Sequence, residues 1–281
     1  MVAHAKLDPP AGSEKRHDWS LQDLAFEHID RNRVREDETL FYMLVSASFI
    51  ESGSELYTRN LIEHYSAFPV VQRWLAESWE REELRHGSGL AAYVRAVWPE
   101  YDWDAAFRAF FDDYRRLCNA EHLEADRALE LAARCTIEMG TASYYRMLHE
   151  AVSEPVLREL LDHIRRDEVR HFKHFYRYLR TMRGERGVSR LRLARCVLQR
   201  TFEMTRDDGW QAFLHAYRFR NGGRTPTRAE YRAWRKKVRE IARAHFPSRM
   251  AAEMLITPLD LPVVLRRCAT GVAAAVLRRT L

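Results

Sequence analysis

One charged pattern occurs twice in this chain, as E-L-R-H from Glu83 to His86 and as E-V-R-H from Glu168 to His171. Residues three apart lie on one face of an α-helix, so the Glu and His of each copy can bind the same ion. Two such helices, each supported by a Glu from another helix, supply the ligands of a two-metal site in a four-helix bundle. The repeated pattern therefore predicts a pair of metal ions inside an all-α fold.

An upstream glutamate accompanies each copy, with a proline between the glutamate and the motif. In the first half, Glu51 precedes Pro69 and the first motif follows that proline. In the second half, Glu138 and Pro155 precede the second motif, and each spacing is only one position shorter than its counterpart in the first half. A helix rises about 1.5 Å per residue, so similar distances on both sides of a turn bring the ligands nearly level. Two such hairpins would gather four Glu and two His at the middle of the bundle.

Two alternatives to this ligand set remain open in the sequence. Glu55 lies one turn after Glu51 and is the rival first ligand, and we prefer Glu51 on the symmetry of the two halves. A single E-x-x-H pattern in a chain with 31% charged residues is usually a solvated helix face. Two copies with matched upstream glutamates favour a metal site.

Three further polar residues are predicted to act around the ions. Glu82 and Asp167 precede the motif glutamates and point about 100° away around the helix. From there each can accept the free N–H of a histidine across the bundle, with Arg85 and Arg170 to neutralise them. The alternative is that both are ordinary surface acids. Thr141 should face the ions, where its hydroxyl could donate to bound oxygen or carry a proton, unless it bonds back to its own helix.

The donor set indicates which metals to expect. Four carboxylates and two imidazoles are hard oxygen and nitrogen ligands without thiolate, which suits iron or manganese better than structural zinc. We expect two iron ions, with manganese as the alternative, and carboxylates that bridge them. The assignment gives the bridging positions to Glu83 and Glu168, and one terminal pair to each ion: Glu51 with His86, and Glu138 with His171.

Composition indicates a globular and mostly helical protein. The chain has 281 residues, of which 46% are hydrophobic, with only 11 Gly and 9 Pro. Its net charge of +6 favours acidic partners without identifying them. The four cysteines form no C-x-x-C pair, so reduced thiols in a cytoplasmic protein are expected. No secretory signal is predicted in residues 1–12, and no apolar run is long enough to span a bilayer.

The predicted organisation has three parts. An N-terminal segment, 1–38, contains a helix opened near Ser20 or Asp18; the metal-binding bundle covers 39–187; a basic helical extension packed on the bundle covers 188–281. The bundle helices are expected over about 39–66, 69–98, 121–152 and 155–182, with a connecting helix from 102 or 104 to 117.

The C-terminal part carries no repeated ligand pattern. Helical periodicity covers 191–204, 210–219 and 228–245, the last with Thr227 as N-cap. The apolar tail 261–281 contains two arginine pairs and is predicted to be a dimer or packing helix, or a membrane-surface helix. The arginines of this part are spread around helices without a recognised module, so nucleic-acid binding is not expected.

The motifs resemble those of the soluble acyl-(acyl carrier protein) desaturases, which are ferritin-like di-iron carboxylate proteins. The likeness covers about residues 19–182. It rests on W-x-x-Q-D from Trp19, on Leu44-Val45 followed by Glu51, and on three further patterns: W-x-x-E-E-x-R-H-G from Trp79, E-x-x-T from Glu138 and D-E-x-R-H from Asp167. No resemblance extends beyond Gly187.

This resemblance implies a ferritin-like bundle, a homodimer, two irons, O2 and a ferredoxin-type electron donor. It implies an acyl chain held as a thioester on an acidic carrier protein such as acyl carrier protein. It also implies an electron path from Trp19 through Asp167 to His86, although a Trp is more often a core residue.

The leading functional prediction is therefore an O2-dependent oxidase that desaturates a carrier-bound acyl chain. Hydroxylation or amine oxidation within a biosynthetic pathway is a close variant, because the same ligands support each reaction. A non-catalytic iron-binding bundle is the alternative from another class. The length of the chain and its basic C-terminal part argue against a storage shell.

Overall fold

The computed structural model describes residues 19–116, 123–203 and 208–281 of the chain. Predictions for residues 1–18, for the helix end at 117, for the helix start at 121 and for Cys118 lie outside these ranges. Within them, the regular structure is helical and no strand occurs. The α-helices are α1 (Glu38–Ser52), α2 (Glu55–His64), α3 (Pro69–Trp74), α4 (Glu80–Val97), α5 (Trp103–Tyr114), α6 (Arg127–Ala151), α7 (Pro155–Arg186), α8 (Arg190–Glu203), α9 (Asp208–Arg220), α10 (Arg228–His245), α11 (Ser248–Ile256) and α12 (Val263–Thr280).

Four helices, α1, α4, α6 and α7, form the central bundle. Helix α1 packs against α4, α6 packs against α7, and α4 packs against α7. The α6–α7 hairpin is sharply defined because Glu154 caps α7: its side chain accepts the N–H of Leu157 at 2.7 Å, with Pro155 at the first helical position. Helix α7 ends at Gly187, whose φ of 65° lies in the left-handed region that glycine adopts easily.

The bundle core consists of two apolar clusters separated along the helices. One contains Phe41, Phe49 and Leu157, and the other contains Trp79, Leu131 and Phe175. On α4 and α7 the predicted ligands lie between the two clusters, whereas Glu51 follows the first cluster on α1 and Glu138 lies among residues of the second cluster on α6. Apolar packing above and below therefore fixes the depth of the polar layer.

The first bundle helix is shorter than predicted. The pattern indicated one helix over 39–66, but the structure breaks it at Gly53 and Ser54 into α1 and α2. The Gly53 N–H bonds to the Phe49 carbonyl at 3.0 Å and closes α1, and the low helix propensity of glycine favours the break at this point. As a result Glu55 is exposed, whereas Glu51 is buried.

The return helix runs continuously from α3 into α4 through a wider turn of π-helix at Leu75–Trp79. A π-turn inserts one extra residue and rotates the faces that follow. It ends immediately before the segment that carries Glu82, Glu83 and His86. The rotation therefore acts on the helix that presents the first E-x-x-H motif.

The N-terminal α-helix expected near Ser20 is not present in the described residues. Short 3₁₀ turns occupy Leu21–Asp23, Phe26–His28 and Arg31–Arg33 instead. Ser20 does open the first turn, donating its N–H to Asp23 at 2.6 Å. The helical prediction was wrong because contacts with distant residues hold this segment: Trp19 with Asp167, and the Asp30 N–H with Glu154 at 3.3 Å.

The C-terminal helices pack on the bundle: α8, α10 and α11 against α6, and α9 against α1 and α5. Thr227 caps α10, accepting the N–H of Glu230 at 3.2 Å, as its sequence predicted. Helix α11 was not predicted, and α12 packs against it. No helix among the described residues has the length and apolar character needed to cross a bilayer.

Candidate metal centre

The six residues predicted as ligands lie together at the middle of the bundle. The last turn of α1, the start of α4, the centre of α6 and the centre of α7 bring them there. Each is at most 5% exposed, which is rare for charged side chains without partners. They are Glu51, Glu83, His86, Glu138, Glu168 and His171.

The six side chains form two overlapping groups. In each group the candidate ligand atoms lie within 4.8 Å of one another, and both groups contain Glu83 and Glu168. Glu51 and His86 complete one group. Glu138 and His171 complete the other. The histidine ring centroids are 5.9 Å apart. Such geometry could place two ions side by side with two carboxylates shared between them.

The atoms that face this space fit a metal ion better than they fit each other. Glu83 Oε1, His86 Nδ1, Glu168 Oε1 and His171 Nδ1 are buried and lack a hydrogen-bond partner among the described residues. His86 Nδ1 lies 3.1 Å from Glu168 Oε1, and His171 Nδ1 lies 3.1 Å from Glu83 Oε1, without hydrogen-bond geometry. Buried polar atoms without partners are costly, and a cation would satisfy all four.

The raised carboxyl pKa values show that the centre requires positive charge to keep its glutamates ionised. Burial, followed by the charge of Glu168, raises the pKa of Glu83 to about 7. Burial also raises the pKa of Glu138 to about 8 and that of Glu51 well above its usual range. The pKa of Glu168 is lowered, because the neighbouring His86 outweighs its burial. Divalent ions would stabilise all four as carboxylates.

The outer nitrogen of each histidine lies within hydrogen-bond distance of an acid on the opposite motif helix. His86 Nε2 lies 3.1 Å from Asp167 Oδ2, and His171 Nε2 lies 2.7 Å from Glu82 Oε2. An ionised carboxylate can only accept, so the proton of each neutral ring resides on Nε2. The Nδ1 lone pair is then directed toward the other candidate ligands, where it could bind a metal ion.

Histidines and arginines together keep these two acids ionised. Arg170 lies 2.8 Å from both Glu82 and Asp167, and Arg85 lies 3.0 Å from Asp167. Burial alone would raise the pKa of Glu82, but the hydrogen bond from His171 and the charge of Arg170 lower it to about 2. The pKa of Asp167 is lowered in the same way, although burial opposes it, by His86 and Arg170. Both acids are at most partly accessible, so they are not ordinary surface acids.

The Thr141 hydroxyl contacts its own helix, which was one of the predicted alternatives, and it also contacts a glutamate of the centre. It lies 3.2 Å from the carbonyl of Glu138, one helical turn back. It also lies 2.6 Å from Glu168 Oε2, a shared carboxylate of the two groups. The hydroxyl hydrogen can bond to only one acceptor well, and the short contact favours the carboxylate.

Trp19 is packed against the centre from outside the bundle. Its indole N–H donates to Asp167 Oδ2 at 2.9 Å, its ring is parallel to His86 with centroids 6.2 Å apart, and the Arg85 guanidinium lies 4.8 Å above it. Trp19, Asp167 and His86 therefore form a contiguous chain. Trp19 is also buried, so it is a residue of the hydrophobic core as well.

Sequence reasoning missed two tyrosines beside the centre. The Tyr145 hydroxyl donates a short hydrogen bond to Glu51 Oε1, and the Tyr57 hydroxyl lies 3.5 Å from Glu83 Oε2. Tyr145 lies two helical turns after Glu138, and this spacing was a readable signal that it faces the same way. For Tyr57 no comparable signal exists, because it lies on α2 beyond the break in the first helix.

Comparison with solved structures establishes the fold. An R2-like ligand-binding oxidase reconstituted with a Mn/Fe cofactor superposes with a TM-score of 0.53 at 13% identity, covering 94% of this chain and 89% of that one. A variant of the same oxidase with an Fe/Fe cofactor gives 0.51 at 14% identity, covering 94% and 88%. The chain has a ferritin-like fold.

Sequence comparison finds a relative that matches a smaller part of this chain than the superposed structures do. DesA2 of Mycobacterium tuberculosis, provisionally assigned as an acyl-(acyl-carrier-protein) desaturase, is 31% identical over 120 residues. The match covers 42% of this chain and 41% of the relative's length. No protein-family model matches. The all-α ferritin-like prediction is confirmed, and the buried carboxylate and imidazole groups agree with the prediction of an iron or manganese pair.

Proposed function

We propose that this protein is an O2-dependent di-iron oxidoreductase. The observation that carries the proposal is the pair of buried ligand groups that share Glu83 and Glu168. The residues that would hold the ions are Glu51, Glu83, His86, Glu138, Glu168 and His171. When bound, a pair of iron ions supplies the O2-dependent oxidation of unactivated C–H bonds, and manganese is the alternative metal.

The chain's own residues prepare this centre for ions and for protons. Asp167 and Glu82 hold the histidine rings with Nδ1 directed inward, so little reorganisation is needed on binding. The Thr141 hydroxyl, 2.6 Å from Glu168, is placed to hold a proton beside a carboxylate that both ligand groups share. Apolar clusters on both sides exclude bulk water, which favours controlled proton delivery.

We infer that the substrate is an acyl chain bound to a carrier protein, and that the reaction is desaturation. The match to DesA2 and the sequence motifs shared with acyl-(acyl carrier protein) desaturases support this choice. In such a reaction the substrate loses two hydrogens, an external donor supplies two electrons, and the solvent supplies two protons, so that O2 is reduced to two waters. The Trp19–Asp167–His86 chain is the proposed route for those electrons from a ferredoxin-type protein.

An acidic carrier would find a suitable surface on α10. This helix carries seven cations and two acids between Arg228 and His245. Exposed members of its basic face include Arg232, Arg235 and Arg239. Opposite charges across an interface raise the association rate and fix the orientation of the partner. We propose this face as the carrier site, and a homodimer as the working assembly.

Mass spectrometry of an acyl-carrier pool tests the proposal. The iron-loaded protein is incubated with acyl-carrier substrates of several chain lengths, O2, and a ferredoxin with its reductase. Desaturation would remove two mass units from the acyl chain. Unchanged acyl chains across the series, with the protein retaining two irons, would contradict the carrier-bound substrate.

The same assay separates the second candidate, a hydroxylase or other oxygenase. Structural likeness to R2-like ligand-binding oxidases supports an oxidase without specifying an acyl-carrier substrate. Hydroxylation would add sixteen mass units instead of removing two. Iron binding without consumption of O2 in the presence of any tested substrate would favour a non-catalytic iron-binding protein.

Ligand assignment is tested separately by metal content. Glu83→Ala or Glu168→Ala should reduce bound iron from about two per chain toward one or none, because each removes a shared carboxylate. Glu55→Ala, an exposed glutamate one turn from Glu51, is the matched control and should keep both ions. Full metal content in either bridging variant, measured by elemental analysis, would contradict the assignment.

A further inference from the structure

The outer face of α12 is apolar and exposed from Val264 to Val276. Val264, Leu265, Val272 and Val276 are each between 52% and 72% exposed. At about 100° per residue, these four side chains fall within about 120° of the helix circumference. The opposite side contains Ala274, which is buried, and packs against α11. The helix therefore presents one apolar stripe to the protein and a second one outward.

Arginines lie along one edge of this outward stripe. Arg267 and Arg278 are three helical turns apart and line a groove of about 730 Å³ between α11 and α12. Arg249 and Arg266 line the same groove, and its one acid, Glu253, is paired with Arg249 at 3.0 Å. Arg267 and Arg278 form no ion pair with the residues that the structure describes. The groove consequently has an excess of positive charge.

Charge distribution decides which kind of partner fits this surface. Residues 261–281 contain four arginines and no aspartate or glutamate. If two copies of α12 packed together, Arg266 and Arg267 of one helix would face arginines of the other in either orientation. Self-association would therefore place like charges together, which is unfavourable. An anionic surface with an apolar interior would instead match both the arginine edge and the valine stripe.

We propose that α12 docks the protein on membranes that contain anionic lipids. The stripe of Val264, Leu265, Val272 and Val276 would enter the boundary of the acyl chains, and Arg267 and Arg278 would contact lipid phosphates. The helix would lie in the plane of the membrane surface. This surface is independent of the metal centre and of the proposed reaction.

Vesicle co-sedimentation of the full-length protein tests the proposal. The protein should sediment with vesicles of phosphatidylcholine and phosphatidylglycerol in equal parts, and much less with phosphatidylcholine alone. The double variant Arg267→Gln, Arg278→Gln should lower the partition coefficient roughly thirtyfold, from about fivefold per cation. Binding should also weaken with added salt, because counterions screen the headgroup charge.

Two further double variants distinguish vesicle binding through α12 from binding through the overall positive charge of the protein. Arg232→Gln with Arg239→Gln removes the same charge from α10 and should change the partition coefficient only slightly. Val272→Ser with Val276→Ser should lower it about tenfold or more with no change in charge. Circular dichroism melting checks that each variant is folded, which is expected because these side chains are exposed.

Cys268 provides a direct readout on the outer face of α12, where it is exposed. An environment-sensitive fluorophore on this thiol should shift to shorter wavelength when anionic vesicles are added. Cys268→Ser treated identically gives the background from the other thiols. Absence of vesicle binding at low salt would overturn the proposal, as would an equal loss in the α10 control. A concentration-dependent dimer that the valine variant disrupts, without vesicle binding, would assign the stripe to self-association instead.

Discussion

Gly87 marks the closest approach of α1 and α4, one residue after His86. A Cβ atom added to Gly87 would lie 2.5 Å from both the backbone N and the Oγ of Ser52, the residue after Glu51. Ordinary van der Waals contact begins at 3.4 Å, so the two helices would have to separate by about 0.9 Å. The contact is with backbone, so a change of rotamer cannot relieve it.

Gly87→Ala should therefore damage both stability and the metal centre. Overpacking costs about 3 kcal/mol, and the better helix propensity of alanine offsets about 1 kcal/mol, which leaves a net loss of about 2 kcal/mol. A separation of this size also exceeds the tolerance of about 0.5 Å for a preorganised site. Glu51 and His86 would move apart. The ion held by this pair would therefore bind more weakly than the ion held by Glu138 and His171.

Gly184→Ala is the matched control for this substitution. Gly184 lies within α7, and nothing approaches within 4 Å of a Cβ built there. This change should stabilise the protein by about 1 kcal/mol through helix propensity alone. Urea unfolding gives the free energies, and elemental analysis with titration gives the ion stoichiometry and affinities. If Gly87→Ala unfolds at the same urea concentration as the parent protein and holds two ions equally well, the close approach of α1 and α4 does not set the site.

Four further substitutions probe the contacts around the centre. Asp167→Asn should weaken metal binding by about 10-fold to 100-fold, because the His86 ring loses its charged acceptor; titration with iron measures this. Trp19→Phe should lower the free energy of unfolding by about 2 kcal/mol through loss of a hydrogen bond to a charged acceptor, while two ions remain bound. Thr141→Val should leave the metal content unchanged and slow turnover roughly a hundredfold if the hydroxyl carries a proton, and unaltered turnover would exclude that role. Tyr145→Phe should change the affinity for one ion by about tenfold and leave the other unaffected, since only Glu51 loses its donor.

Local periodicity explains why the candidate ligands were readable from the sequence. Glu83 with His86, and Glu168 with His171, share a helix face because of a spacing of three, whatever surrounds the helix. The two prolines and the upstream Glu51 and Glu138 gave the two halves matching spacings, although the first half does not form two uninterrupted α-helices. The all-α bundle was predicted from the same short-range rules and the ferritin-like fold from the family resemblance, and the superposed oxidases confirm the fold.

Other features depended on contacts between residues far apart in the sequence. The break at Gly53 turned Glu55 to solvent, and the Tyr57 contact with Glu83 exists only because α2 starts after that break. The segment after Trp19 has helical spacing, yet its contacts with Asp167 and Glu154 hold it in 3₁₀ turns. Propensity differences of a few tenths of a kcal/mol per residue cannot compete with buried hydrogen bonds to charged groups.

The sequence by itself determined which side chains share a helix face, because that relation follows from about 3.6 residues per turn along one chain. Tertiary structure alone decided how closely α1 and α4 approach at Gly87 and which side of α12 remains exposed. These depend on the packing of separate helices, and close packing is set by all neighbours together rather than by any local segment.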